Sequence, residues 1–268
     1  VNGKSGIATP RLAAVLDRLR SASPDVVLLQ EVHAGTAAAQ MADGLADLGL
    51  AYCVCSATPS TAKPYGNVIA SRWPVRTTPW VTPSPWPQLI ARAEIEVDEI
   101  PVDVLNVHIP NGSANGWKKI ETFESLASYL NAAPDAPRVV AGDFNEPRDV
   151  LPTGEVVTFG QRPRKDGTYT TAGMWRRQGE SRPRAEWDAG VRSVLDGTDA
   201  HGLRLAYLEV PGWTKPVTHV TRANNRFFDH LLISRHFAVR DAGYYDDWRT
   251  SKASDHSALW AELELLVV

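Results

Sequence analysis

The chain of 268 residues has only two cysteines and two methionines, and no excess of positive charge. Two cysteines build no disulfide framework, which favours an intracellular, cytoplasmic setting. They stand two apart in "AYCVCS", as Cys53 and Cys55. On a strand they share a face. With no third cysteine to complete a metal site, they read as two small buried residues. No run of about 18 apolar residues occurs, so no membrane span is expected. The formal net charge of −3 argues against a nucleic-acid coat protein. It leaves room for an enzyme that meets phosphate on one face only. There is no repeat, heptad or low-complexity tract, and no signal peptide is visible at the opening "VNGKSG". The length suits one large domain with a well-buried core, so a single domain over 1–268 is expected, working as a monomer.

What is present is a succession of apolar strands and amphipathic helices. "TPRLAAVLDRLR" predicts a helix, with Thr9 as N-cap, Pro10 at its first position and Leu12, Val15, Leu16 and Leu19 on one face. Pro24 ends it, and Val26 to Leu29 read as a strand buried on both faces. A second helix is expected from Thr36 to about Leu48. "ARAEIEVD" alternates as a half-exposed strand, and "VDVLNVH" is its hairpin partner across Glu99 to Pro101. A helix follows over Gly116 to Leu130, then the buried strand "RVVAGD". From Phe159 to about Arg192 the periodicity is weak. Between Gln161 and Ser193 eight Lys/Arg face four Asp/Glu, a net of +4. This stretch reads as long surface loops with short strands. It is either simply solvated or a contact for a DNA backbone, with Trp175 and Trp187 among its residues. "FFDHLLIS" and "SALWAELELL" are the last clear strands. The mixture predicts an α/β layered domain, with two sheets packed on each other and helices outside.

Polar groups recur where apolar strands end. Gln30 and Glu31 follow "VVLL", Asn106 and His108 end "VDVLNVH", and Asp143 and Asn145 follow "VVAG". Asp229 opens "HLLIS", and Ser254, Asp255 and His256 precede the last strand. Each alone reads as a turn or a solvated strand end. Five such ends in one chain point to a shared cleft, because buried strands are rigid supports for a site. The inventory is carboxylates, amides and histidines, without a nucleophile elbow. Hard oxygen ligands suit Mg2+ or Mn2+, and histidines and amides donate to phosphoryl oxygens. The chemistry indicated is metal-assisted phosphoester hydrolysis.

The ordered set "VNG", "LLQE", "GNVIASRWPV", "NVHIPNG", "GDFNEP", "FFDHLLIS" and "SDHSALW" resembles the endonuclease/exonuclease/phosphatase superfamily with the DNase I-like fold. Its first half is closest to exonuclease III and the apurinic/apyrimidinic (AP) endonucleases. The resemblance implies a four-layer α/β sandwich of two packed, mostly antiparallel sheets flanked by helices. It implies a Mg2+- or Mn2+-dependent phosphodiester hydrolase, with DNA as its partner and a small phosphoester molecule as the alternative.

The same resemblance assigns roles. Glu31 is the principal metal ligand, with Asn2 beside it and Asp255 near the same site. Asp143 handles the attacking water or the leaving-group proton, and Asn145 orients the aspartate, the water or the phosphate. His256 contacts the scissile phosphate, and Asp229 holds it in one tautomer. His230 then faces away in a structural role. Asn67, Arg72 and Asn111 fall at substrate-binding positions. His108 stands where AP endonucleases carry tyrosine, and it retains the ability to donate to phosphate. Phe227 or Phe228 either lines a pocket for a flipped abasic sugar or sits in the core.

Overall fold

The computed structural model describes residues 10–58, 64–221 and 224–266. Asn2 and the Thr9 cap therefore lie outside the described residues. Helix α1 (Pro10–Ala22) and helix α2 (Thr36–Ala46) flank strand β1 (Val26–His33). Strands β2 (Tyr52–Cys55) and β3 (Tyr65–Ser71) complete a three-stranded sheet in the order β1-β3-β2. Strands β4 (Val75–Thr77), β5 (Ile90–Val97), β6 (Ile100–His108) and β7 (Arg138–Asp143) belong to a six-stranded sheet. The strands Asp229–Ile233 and Arg204–Leu205 continue that sheet beyond β7. Its pairs are antiparallel except β6 and β7, which run parallel with helices α3 (Gly112–Asn115) and α4 (Lys118–Ala132) between them. A long hairpin pairs Phe237–Tyr245 with Ala258–Leu265.

Period-two patterning decides which core each strand feeds. Val26 and Leu28 of β1, Ile69 of β3 and Val239 and Leu263 of the long hairpin pack against Ala91, Ala93, Ile95, Val102 and Val104 of the larger sheet. Val27 and Val32 point the other way, onto Val15 and Leu19 of α1 and Met41 and Leu45 of α2. The outer face of the larger sheet, with Leu105, Val107, Val140 and Leu232, is covered by Ile120, Phe123, Leu126 and Leu130 of α4. The result is helix, sheet, sheet, helix: the four-layer sandwich. Each fully buried Leu, Ile or Phe in these layers contributes roughly 1.5–3 kcal/mol.

Several local expectations change. Helix α2 stops at Ala46 rather than Leu48. The helix expected over Gly116 to Leu130 is α4, Lys118–Ala132, and the short α3 before it was not expected; Gly116, at φ 61°, parts the two. The β5–β6 turn is tighter than expected, with Asp98 and Glu99 both left-handed. The stretch 159–192 holds short hairpins, but also helix α5 (Arg184–Leu195), which packs on α4. Its signal was present at Trp187, Val191, Val194 and Leu195, spaced for one helical face. Trp187 is buried in the core with its indole donating to Glu146, at 2.8 Å, so it cannot meet DNA. Cys53 is half-buried and Cys55 exposed, both free thiols, so only part of the buried-pair reading holds. No helix among the described residues is long and apolar enough to cross a membrane.

Candidate active site

Three neighbouring strands of the larger sheet place three polar side chains in one row. His108 of β6 pairs in register with Asp143 of β7, and Asp143 pairs with Asp229. Residues directly opposite on paired strands share a face, so the three meet. Close approach of β6 to β7 needs Gly142, which lies at φ 145°. A Cβ there would stand 1.9 Å from the Val107 carbonyl oxygen, so no other residue fits.

After Asp143 the chain turns through Phe144 and Asn145 to a cis Glu146–Pro147 peptide. Asn145 is left-handed, at φ 51°, a conformation asparagine tolerates. Its backbone N–H donates to Asp143 Oδ1 (2.7 Å), and its side-chain amide donates to Asp143 Oδ2 (3.0 Å) and to the Ile109 carbonyl (3.0 Å). Both carboxylate oxygens of Asp143 are thus held by Asn145. Beneath the loop, Lys119 of α4 donates to the Asn145 carbonyl (2.5 Å) and lies 3.2 Å from the Glu146 carboxylate. Glu146 also accepts from Phe159 N–H and the Trp187 indole. Lys119 and Glu146 are both buried. Burial lowers the Lys119 pKa, and Glu146 pulls it back up.

His256 arrives from the segment before the last strand. Its Nδ1–H donates to Asp229 at 2.8 Å, and its Nε2 points toward Asp143 at 3.9 Å. Burial alone would lower its pKa, but Asp229 and Asp143 outweigh burial and raise it to about 10. Asp143 is pushed up to about 6, first by burial and then by Asp229, against the pull of His256 and His108. The consecutive Asp255 is exposed. Its carboxylate lies within 4.8 Å of ring nitrogens of His256 and His219. His219 stacks on His256, with ring centroids 4.3 Å apart.

Glu31 reaches the row through a break in strand pairing. The β1–β3 register shifts between Leu29 and Val32, and Glu31 adopts φ 57°. Such a bulge re-aims a side chain. Glu31 Oε1 then lies 3.8 Å from His108 Nε2, itself 3.8 Å from Asp143 Oδ2. The carbonyl of Leu29, at the edge of the bulge, accepts from the Asn106 amide, and Gln30 donates to Asn106 Oδ1. These amides stitch the two sheets together directly under the site.

The structure brings together Glu31, His108, Asp143, Asn145, Asp229 and His256. Other expected positions fall elsewhere. Arg72 follows the end of β3 that pairs with Val26, five residues before Glu31 and roughly 17 Å away along the strand. It is exposed there and paired with Asp25 at 2.7 Å. Asn67 is wholly buried and donates to the Leu89 and Asn106 carbonyls, so it ties β3 to β6. Asn111 is exposed and caps α3 by accepting from Ser113 N–H. Phe227 and Phe228 are both buried. Tyr65, Lys119, Glu146 and His219 were not singled out by the sequence. Tyr65 lies beside His108, with ring centroids 6.1 Å apart, and Glu31 contributes to raising its pKa after burial.

His230 points away from the row and donates to the Glu146 carbonyl at 2.9 Å. Burial lowers its pKa from 6.5 to about 4. The unfolded chain therefore binds this proton more readily than the folded one. The stability from keeping it neutral is fully present above pH 6.5 and fades as pH falls to about 4, roughly 3 kcal/mol in all. Replacing His230 with Gln is expected to remove this dependence. Urea midpoints compared at pH 7 and pH 4.5 test it, and an equally steep acid loss in the variant refutes the assignment.

The donor set fits a hard divalent ion. Glu31 and Asp143 present carboxylate oxygens on either side of His108 Nε2, each 3.8 Å from it, and Asp255 adds an exposed carboxylate beside His256. A family model described as the endonuclease/exonuclease/phosphatase family matches residues 1–256. No curated protein sequence matches the chain significantly. Among solved structures, an AP endonuclease from Archaeoglobus fulgidus has TM-score 0.64 and 18% identity, over 95% of this chain and 94% of that one. A Neisseria 3' phosphatase, NExo, bound to a product DNA hairpin, has TM-score 0.64 and 21% identity over the same shares. The 2',3'-cyclic phosphatase ANGEL2, in complex with adenosine-2',3'-vanadate, has TM-score 0.61 and 18% identity, over 96% and 86%. These likenesses establish the DNase I-like fold. With the family match spanning nearly all of its length, the chain belongs to the endonuclease/exonuclease/phosphatase family, whose members are phosphoester hydrolases.

Proposed function

We propose that this protein is a Mg2+- or Mn2+-dependent phosphodiester hydrolase acting on DNA, of exonuclease III or AP-endonuclease type. The observation that carries the reading is Asp143, with both oxygens held by Asn145, between His108 and the Asp229–His256 pair.

In this reading Asp143 accepts the proton of the attacking water, which enters in line with the leaving oxygen. Asn145 keeps the carboxylate fixed, so no reorientation precedes proton transfer. His256, charged at neutral pH through Asp229, donates from Nε2 to a phosphoryl oxygen. His108 is placed to donate to the phosphate from the other side. Glu31, with Asp255 and Asn2 as further candidates, would hold the metal, which supplies Lewis-acid stabilisation of charge on the phosphoryl group. No covalent enzyme intermediate is required.

Purified protein is expected to cleave plain, abasic or single-stranded DNA with Mg2+ and to stop when EDTA is added. A preparation that hydrolyses a chromogenic phosphoester yet ignores all three DNA substrates would replace this reading with a small-molecule or lipid phosphodiesterase or phosphatase. His108 favours that second reading, since it takes the position of the AP-endonuclease tyrosine beside Asp143.

A further inference from the structure

Beside the Asn145–Glu146 loop lies a concentration of positive charge. The Phe159 ring has Arg148 and Arg226 each 5.3 Å from its centroid, with Lys119 at 5.6 Å. Trp175 has Arg177 at 4.1 Å and Arg184 at 4.3 Å. All four arginines are half-buried. The Nε atoms of Arg148 and Arg177 are buried without a hydrogen-bond partner. Glu146 and Asp149 are carboxylates set among these groups, and Glu146 is already engaged by Lys119 and Trp187. Burial and mutual repulsion lower the pKa of Arg184 (from Arg162, Arg148 and Arg177) and of Arg226 (from Arg148).

Arg148 and Arg226 also line a cleft of about 300 Å³, with Lys215, Asn225 and Phe227. Asp149, on the same wall, is occupied by an ion pair to Lys215. The cleft connects to the reacting row through rings: Phe159 packs on Phe228, Phe228 on His219, and His219 on His256. Half-buried guanidinium groups that repel one another are unfavourable for the free protein. An anion with several oxygens relieves that repulsion and satisfies the open N–H donors.

We propose that the cleft between Arg148 and Arg226, backed by Arg177 and Arg184, binds a second phosphate of the substrate, adjacent to the one being cleaved. This rests on the phosphodiester-hydrolase reading and deepens it: the substrate carries at least two phosphates. A nucleic-acid backbone supplies them in succession.

The test is binding without turnover. Fluorescein-labelled oligothymidylate is titrated onto the whole protein in EDTA over a range of salt, and inorganic pyrophosphate is titrated separately by calorimetry. Arg148→Gln and Arg226→Gln are each expected to weaken binding about tenfold and to reduce the salt slope by about 1. Arg148→Lys should recover part of the loss, and melting temperatures should not fall, since each Gln removes a repelling charge. Arg235→Gln is the control. Arg235 pairs with Asp135 at the other end of the strand that begins at Asp229, so its loss should leave binding unchanged. Pyrophosphate binding that depends on Arg148, without oligonucleotide binding, keeps the phosphate subsite and rejects nucleic acid as its source. Arginine-dependent oligonucleotide binding without DNA cleavage in Mg2+ keeps the subsite and rejects the nuclease. The subsite itself is wrong if neither probe binds, or if Arg235→Gln weakens binding as much as Arg148→Gln.

Discussion

Asp143→Asn is expected to lower phosphodiester hydrolysis by about 10²–10⁴-fold while the chain stays folded, because an amide cannot take the proton of the attacking water. The substitution keeps the shape and the bond from Asn145 N–H to Oδ1, and loses the bond from the Asn145 side chain to Oδ2 together with the charge that faces His108 and His256. Its effect on stability has a definite sign. The folded-state pKa of Asp143 is raised from 3.8 to about 6, so the folded protein holds that proton more tightly than the unfolded chain. Stability from the protonated form is present below pH 3.8 and is lost as pH rises through about 6. Measured in EDTA, the Asn variant should therefore gain on the parent as pH rises across that window. Circular dichroism and urea midpoints establish the fold, and initial rates establish the chemistry. A folded variant that retains a tenth of the parent's rate would remove Asp143 from the role given to it.

Lys119→Met should produce the largest loss of stability, about 3–5 kcal/mol, because it leaves Glu146 charged and buried without its cation. Methionine fills much of the same volume, so the loss reports charge more than packing. Adding Glu146→Gln to Lys119→Met should recover a substantial part, since removing both members of a buried pair costs less than removing one. Activity should fall as well, because the Lys119 ammonium group anchors the carbonyl of Asn145, whose amide aims Asp143. Denaturant midpoints of the parent, single and double variants form the check. A single variant within 1 kcal/mol of the parent contradicts a charged pair at this position.

The positions legible in the chain were those where a polar residue interrupts an apolar strand: Glu31, His108, Asp143, Asn145, Asp229 and His256. That signal is local, and a buried strand end has few reasons to carry such groups. Lys119 gave no comparable signal. On a helix face a lysine reads as solvated, and only the packing of α4 under the Asn145–Glu146 loop makes it buried. Helix α5 was obscured by the Arg, Gly and Pro residues around it, although its own apolar spacing was regular. Arg72 and Asn67 show the opposite error. Both lie in a motif that resembles the family's, yet β3 runs antiparallel to β1 and carries Arg72 to the far end, while Asn67 spends its amide on two carbonyls.

The amino-acid sequence by itself determined the layers and the chemical inventory, because side-chain period and strand-end composition are properties of neighbouring residues. The tertiary structure decided which of those residues meet. The parallel register of β6 with β7 aligns His108 with Asp143, and the antiparallel register beyond it adds Asp229. The bulge in β1 turns Glu31 toward them. Arg148, Arg177 and Arg226, 29 to 78 positions apart in the chain, gather in the same way beside one loop. Register and strand direction arise from pairing between distant segments, and no local window of the sequence contains them.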